Sequence, residues 1–354
     1  MRSKHRLMIA TACVVGGAAI IAAGVARGQS AAKSYDAPTH SLPADVQYNV
    51  DLAFLLLNGD LSKDRLPQVL IGGGVIPTDG KTPLQELSGK VETIPPFKAF
   101  DQLYYFGMNT VGSWALNTSD GIILFDTLNN TEEAQRIIEG GMKAVGLDPA
   151  RIKYIVIMHG HADHFGGAKY LQDKYHPRVL MGAADWDMIA RPRPNGRGQQ
   201  PVAAPTRDMD ITDGQKLTLG GQTVTLYLTP GHTPATVSAI IPVTDEGRPH
   251  VLAFWGGTGF PGSLDPTPTA GGLRVYQEQL FRYAKIGIDA KVDGLIANHA
   301  VADGTPQKAV IMRNRKKGDP NPYLFGQSTF VRVMGSFISA VHAAIVSREA
   351  RGSR

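Results

Sequence analysis

Ile152-Lys153-Tyr154-Ile155-Val156-Ile157-Met158-His159-Gly160-His161-Ala162-Asp163-His164 passes from an apolar run straight into a cluster of polar ligands. Ile152–Met158 has the length and composition of a strand buried on both faces of a sheet. The loop that leaves such a strand projects its side chains from a rigid edge. Gly160 and Ala162 are small, so the loop can bend until alternate side chains converge. Histidine offers neutral nitrogen donors and aspartate a hard oxygen donor, the set that suits zinc. The plainer reading, a solvated polar loop, leaves three histidines and an aspartate within six positions unexplained.

One loop cannot aim all its ligands at a single ion, so partners are expected elsewhere. His232 lies in Thr229-Pro230-Gly231-His232-Thr233 and His299 in Ala297-Asn298-His299, each in a turn after an expected strand. With the cluster they make two three-ligand sets that leave positions open for water and substrate. His5, His40, His176, His250 and His342 have no comparable context.

Working outward, Leu103–Phe106, Ser113–Asn117 and Ile122–Asp126 read as strands, with Ser119-Asp120-Gly121 as a turn. Thr131–Val145 reads as a helix ended by Gly146. Beyond the cluster, helices are expected at Gly167–Tyr175 and Ala184–Ala190, and a strand at Val179–Met181. Arg191–Pro205 has the composition of a surface loop. Strands follow at Thr223–Leu228, Val237–Pro242, Val251–Trp255 and Gly294–Ala297, and helices at Val275–Ile288 and Thr329–Val346. Strand hairpins on each side of helical crossovers predict an α/β layered sandwich with helices outside the sheets.

The first 28 residues read differently. Arg2, Lys4 and Arg6 precede an apolar run from Leu7 to Ala23 and small residues ending near Gly28, the layout of a secretory signal peptide. The alternative is an uncleaved anchor, since the run approaches membrane-spanning length. Cleavage predicts an exported protein, expected in the periplasm, with no stable membrane span. It also removes four positive charges and no acid, taking the formal net charge from +5 to +1, and it removes Cys13, the only cysteine. A basic nucleic-acid surface and a cysteine metal ligand are therefore not expected. Residues 29–96 are interrupted by prolines and read as an N-terminal extension, with a short helix at Asp51–Leu57; the main domain is expected over residues 97–354.

These residues carry a resemblance. The His-x-His-x-Asp-His motif at 159–164, the Pro-Gly-His-Thr at 230–233 and the strand-end His299 occur in the order seen in the metallo-β-lactamase superfamily. The similarity runs from about Pro96 to near Ala344. It includes Tyr105-Phe106-Gly107, the Asp120–Asp126 pattern and Asp319-Pro320-Asn321-Pro322-Tyr323. It is strongest to the third subclass of class B β-lactamases. The resemblance implies a four-layer αβ/βα sandwich holding two Zn(2+) ions: His159, His161 and His232 around the first, Asp163, His164 and His299 around the second. It also implies that Asp126 steadies the metal loop; as a cap on the following helix at Asn129–Thr131, Asp126 would have a purely local role.

Departures from the pattern bear on substrate. Many superfamily hydrolases, glyoxalase-type thioesterases and lactonases among them, carry a metal-bridging aspartate after the strand matching Val251–Trp255. Here that stretch continues Gly256-Gly257-Thr258-Gly259. The substrate-contacting serines of the third subclass are also missing, with Thr258 the nearest hydroxyl, and Ala300 follows His299 where proline is common. The function implied is hydrolysis of a small-molecule acyl bond by a metal-bridging hydroxide, with the β-lactam amide ahead of a lactone, ester or thioester. Asp163 is the expected catalytic residue, orienting the hydroxide and shuttling its proton. A non-catalytic metal-binding protein is the rival of another class, and open coordination positions weigh against it. Arg313-Asn314-Arg315-Lys316-Lys317 reads as a solvated helix face rather than a nucleic-acid patch. Trp186 and Arg191–Arg197 are candidates for the cleft border, Trp186 equally for packing, and Trp114 for the core.

Overall fold

The computed structural model describes residues 90–191, 202–259 and 270–352. The leader, nearly all of the N-terminal extension, the Asp51–Leu57 helix and most of the Arg191–Pro205 loop lie outside the described residues.

Two sheets form. In the first, β1 (Thr93–Lys98), β2 (Leu103–Met108), β3 (Gly112–Thr118), β4 (Gly121–Phe125), β5 (Ile152–Val156), β6 (Arg178–Gly182) and β7 (Met209–Ile211) lie side by side in chain order. The pairs from β1 to β4 are antiparallel and those from β4 to β7 parallel. In the second, β8 (Gln215–Leu219), β9 (Gln222–Leu228), β10 (Val237–Asp245) and β11 (Arg248–Trp255) form an antiparallel meander, and β12 (Gly294–Ala297) joins β11 in parallel.

Alternation along the strands stacks these sheets. Ile123 and Phe125 of β4 and Leu252 and Phe254 of β11 enter one shared core between the sheets. Their neighbours Ile122 and Leu124 turn outward into a second core. There they meet Ile137, Ile138 and Met142 of helix α1, which runs continuously through Thr131–Glu133, a π-type segment at Ala134–Glu139, and Gly140–Ala144. Leu171 of α3 (Ala168–Tyr175) and Trp186 of α4 (Ala183–Ile189) complete that layer; the short α2 (Ala162–Phe165) precedes them. On the other side, Ala253 and Trp255 of β11 pack against α5 (Ala270–Asp289) and the last helix, α8 (Gln327–Gly352). The result is the expected αβ/βα sandwich. Gln327–Val346 is apolar and long enough to cross a membrane, but most of it is buried in this third core.

Some expectations need correction. The boundary between Pro96 and Phe97 cuts through β1, so the sandwich begins by Thr93. The Pro95-Pro96 pair suggested an interruption, yet β1 is an edge strand with a register shift between Ile94 and Phe97, where missing N–H groups are tolerated. Pro242 likewise lies inside β10, past the point where β9 stops pairing. The basic run is a helix face only at its start. Helix α7 (Thr305–Asn314), which follows the short α6 (Ala300–Asp303), takes in only its first two residues, Arg313 and Asn314. Arg315 instead turns inward to form two 2.7 Å bonds with the Asp245 carboxylate.

Candidate metal centre

Every ligand named from the sequence comes from a loop or short helix that follows a strand. His159 and His161 leave β5, and Asp163 and His164 ride on α2. His232 sits between β9 and β10, and His299 follows β12 at the start of α6. They converge as two trios, His159/His161/His232 and Asp163/His164/His299. Within each trio the candidate donor atoms lie within 4.8 Å of one another.

Hydrogen bonds fix which ring atom His159, His232 and His164 offer. His159 Nδ1 donates to the Gly256 carbonyl (2.9 Å), and its buried Nε2 has no hydrogen-bond partner among the described residues. His232 Nδ1 donates to the Gly259 carbonyl (3.0 Å), and its Nε2 lies 3.2 Å from His161 Nδ1. The glycine-rich stretch after β11 therefore holds two ligand rings through its backbone. In the second trio, His164 Nδ1 bonds Asp126 Oδ2 (2.7 Å), while its Nε2 lies 3.2 Å from His299 Nε2. Asp163 Oδ2 is 3.6 Å from His164 Nε2 and 3.8 Å from His299 Nε2.

These distances suit zinc. Two nitrogens at 2.0–2.1 Å from a tetrahedral zinc are about 3.3 Å apart. The orphaned His159 Nε2 and the two close nitrogen pairs are explained together by cations shared among the rings. The charge environment agrees. Burial, reinforced by the neighbouring histidines, holds the pKa values of His159 and His232 well below the usual imidazole value, so both are neutral donors. Burial would raise the Asp163 pKa, but His164, His299 and His161 outweigh it and keep the carboxylate ionised.

Asp126 serves the site and does not cap the helix. Its Oδ1 accepts the Met158 N–H at 2.7 Å while Oδ2 holds His164. The carboxylate thereby ties the end of the buried strand to the second trio. The cap on α1 is Asn130, whose side chain accepts from Glu133 N, and the Glu133 carboxylate reaches back to Asn129 N. Trp186 is core, donating to the Met209 carbonyl. Trp114 is core as well and donates to the carbonyl of Ala297 in β12. Thr258 lies between the two glycines beside His232, its Oγ1 buried with no partner among the described residues.

Three supporting groups escaped the sequence reading. Asn298 Nδ2 donates to the same Gly256 carbonyl that holds His159. The backbone carbonyls of Gly256 and Gly259 carry no side-chain signature. Asp185 is fully buried and accepts from Gly160 N, Ala235 N and Thr233 Oγ1; in the sequence it looks like an acid placed in the first turn of a surface helix.

Residues 110–248 match the family model of the metallo-beta-lactamase superfamily. The chain is 30% identical over 152 residues to an uncharacterized protein of Mycobacterium tuberculosis, covering 38% of this chain and 67% of that one. It is 29% identical over 97 residues to a hydroxyacylglutathione hydrolase of Acidiphilium cryptum, covering 27% of this chain but only 34% of that relative. A subclass B3 metallo-beta-lactamase of Bradyrhizobium japonicum shares its fold, with a TM-score of 0.57 and 23% identity over 73% of this chain and 94% of that one. With the family model matched over residues 110–248 and the mycobacterial relative covered to 67% at 30% identity, the chain belongs to the metallo-β-lactamase superfamily of hydrolases.

Proposed function

We propose that the chain is an exported two-zinc hydrolase that opens the amide ring of β-lactams. The observation that carries this reading is the second trio, Asp163/His164/His299, formed with no carboxylate or thiol in the Gly256–Gly259 stretch. Zinc bound there would polarise the substrate carbonyl and make water acidic enough to act as a nucleophile near neutral pH. The chain's own residues do the rest. Gly256 and Gly259 orient His159 and His232, Asp126 orients His164, and Asp163, ionised and partly open to solvent, orients the attacking water and takes its proton. Export to the periplasm rests on the Arg2–Gly28 leader.

A second reading keeps the same chemistry but changes the acyl bond to a thioester, lactone or ester. It is favoured by sequence relatives named hydroxyacylglutathione hydrolase. One panel separates the two. Nitrocefin, penicillin and carbapenem turnover that a chelator abolishes and zinc restores supports the β-lactam reading. Inert β-lactams alongside thioester or lactone turnover overturn it.

A further inference from the structure

Helix α4 lies directly behind the metal loop. A methyl group on Gly160 would come within 2.5 Å of Met188 Cε and 3.3 Å of Asp185 Cβ. At the start of the same helix, a methyl on Gly182 would sit 2.4 Å from the Ala235 carbonyl oxygen. The helix is thus wedged between two loops distant in sequence. One carries His159 and His161, and the other carries His232.

Asp185 joins the two. Its Oδ2 accepts from Gly160 N, the residue between the two loop histidines, at 2.8 Å, and from Thr233 Oγ1, next to His232, at 2.6 Å. Oδ1 accepts from Ala235 N at 2.8 Å. Thr233 is locked in turn, its N–H donating to Thr236 Oγ1 at 2.9 Å. One fully buried carboxylate therefore accepts from three donors on the two loops that together supply the first trio. None of these three bonds reaches the second trio, where Asp126 bonds His164 directly.

We infer that Asp185 is a positioning residue for the first metal site: it sets the distance between the His159/His161 loop and the His232 loop, and so governs metal affinity at that trio separately from the second. This rests on the two-metal reading of the site. A carboxylate can accept from all three donors at once, whereas an asparagine of the same size must turn an NH2 toward one of them. With its carbonyl kept at the doubly bonded position, the amide faces Ala235 N–H, and the link to the His232 loop weakens without loss of volume.

The test measures zinc affinity and stoichiometry by chelator competition in the parent chain, Asp185→Asn, Thr233→Val and Asp126→Asn. Histidine ring 15N spectra recorded through the titration show which trio fills. The melting temperature of each metal-free variant reports its folding. Asp185→Asn is expected to lower affinity about 10–100-fold at the rings of His159, His161 and His232, with a smaller loss in the same place for Thr233→Val. Asp126→Asn should shift its loss to His164 and His299. Parental affinities in folded Asp185→Asn, or equal losses at both trios, overturn the inference while leaving the metal reading intact. If Asp185→Asn does not fold, Thr233→Val decides by the same criterion. A parent chain whose histidine rings take up no zinc overturns the metal reading, and the inference with it.

Discussion

His161 Nδ1 and His232 Nε2 lie 3.2 Å apart although 71 residues separate them in the chain. The His232 ring commits its Nδ1 proton to the Gly259 carbonyl, so a lone pair on Nε2 faces His161. An arrangement like this is satisfied by a cation. Ligand binding to the native state alone adds about 4 kcal/mol of stability at a free concentration 1,000-fold above Kd. Zinc-loaded protein should therefore melt well above chelator-treated protein in calorimetry, and His232→Ala should bind one zinc equivalent fewer. Equal melting temperatures with and without zinc would contradict the assignment.

The Asp126 backbone has a positive φ of 56°, in a region that aspartate and asparagine tolerate better than most residues. Asp126→Asn therefore spares the backbone and removes only the carboxylate that holds both Met158 N and His164 Nδ1. Turnover of the best substrate is expected to fall at least 10-fold at limiting zinc and to recover in part as zinc is raised, because losing such a support weakens metal binding by about 10–100-fold. A loss that no zinc concentration relieves would place the role of Asp126 elsewhere.

How much of this was legible in the sequence depended on whether a feature leaves a side-chain trace. The metal loop was legible because four ligands crowd behind a buried strand, and His232 and His299 because each follows a strand at a turn. The α/β sandwich followed from strands such as β4, apolar at every position because both faces are covered. Backbone support was not legible: the carbonyls of Gly256 and Gly259 are chemically the same as any others until the fold aims them. Asp185 was hidden because burial, not residue type, distinguishes it from a surface acid. The edge strand β8 (Gln215–Leu219) was missed because only Leu217 is buried in it. Arg315 was misread because its partner, Asp245, is 70 residues away.

Gly256 tests the backbone support directly. A methyl group there would lie 1.9 Å from the Val237 carbonyl oxygen, which is backbone and cannot swing aside. The carbonyl of Gly256 accepts from both His159 Nδ1 and Asn298 Nδ2. Gly256→Ala must then displace the strand end that carries those bonds. The expected cost is about 3 kcal/mol or more, at the upper end for overpacked cores, together with weaker zinc binding at the first trio. Gly221→Ala, where a methyl meets nothing but the backbone has a φ of 76°, is the comparison for strain alone. Chemical denaturation should show the larger loss at Gly256, and zinc affinity should separate the two variants further.

Glu139, on helix α1 in the outer layer, makes the protein sensitive to acid. It accepts from Lys143 Nζ at 2.5 Å, Tyr170 Oη at 2.6 Å and Lys174 Nζ at 2.9 Å. Burial pushes its pKa up, but these donors outweigh burial and bring it from 4.5 down to about 2. The folded state therefore favours the carboxylate more than the unfolded chain does. Its contribution is fully present above the unfolded value and is lost as pH falls from 4.5 toward 2. Glu139→Gln should accordingly be less stable than the parent at neutral pH, with the gap closing through that acid window. Urea denaturation of the metal-free proteins at a series of pH values measures the gap. A difference that stays constant from neutral pH down to pH of about 2 would mean that the glutamate acts by packing alone.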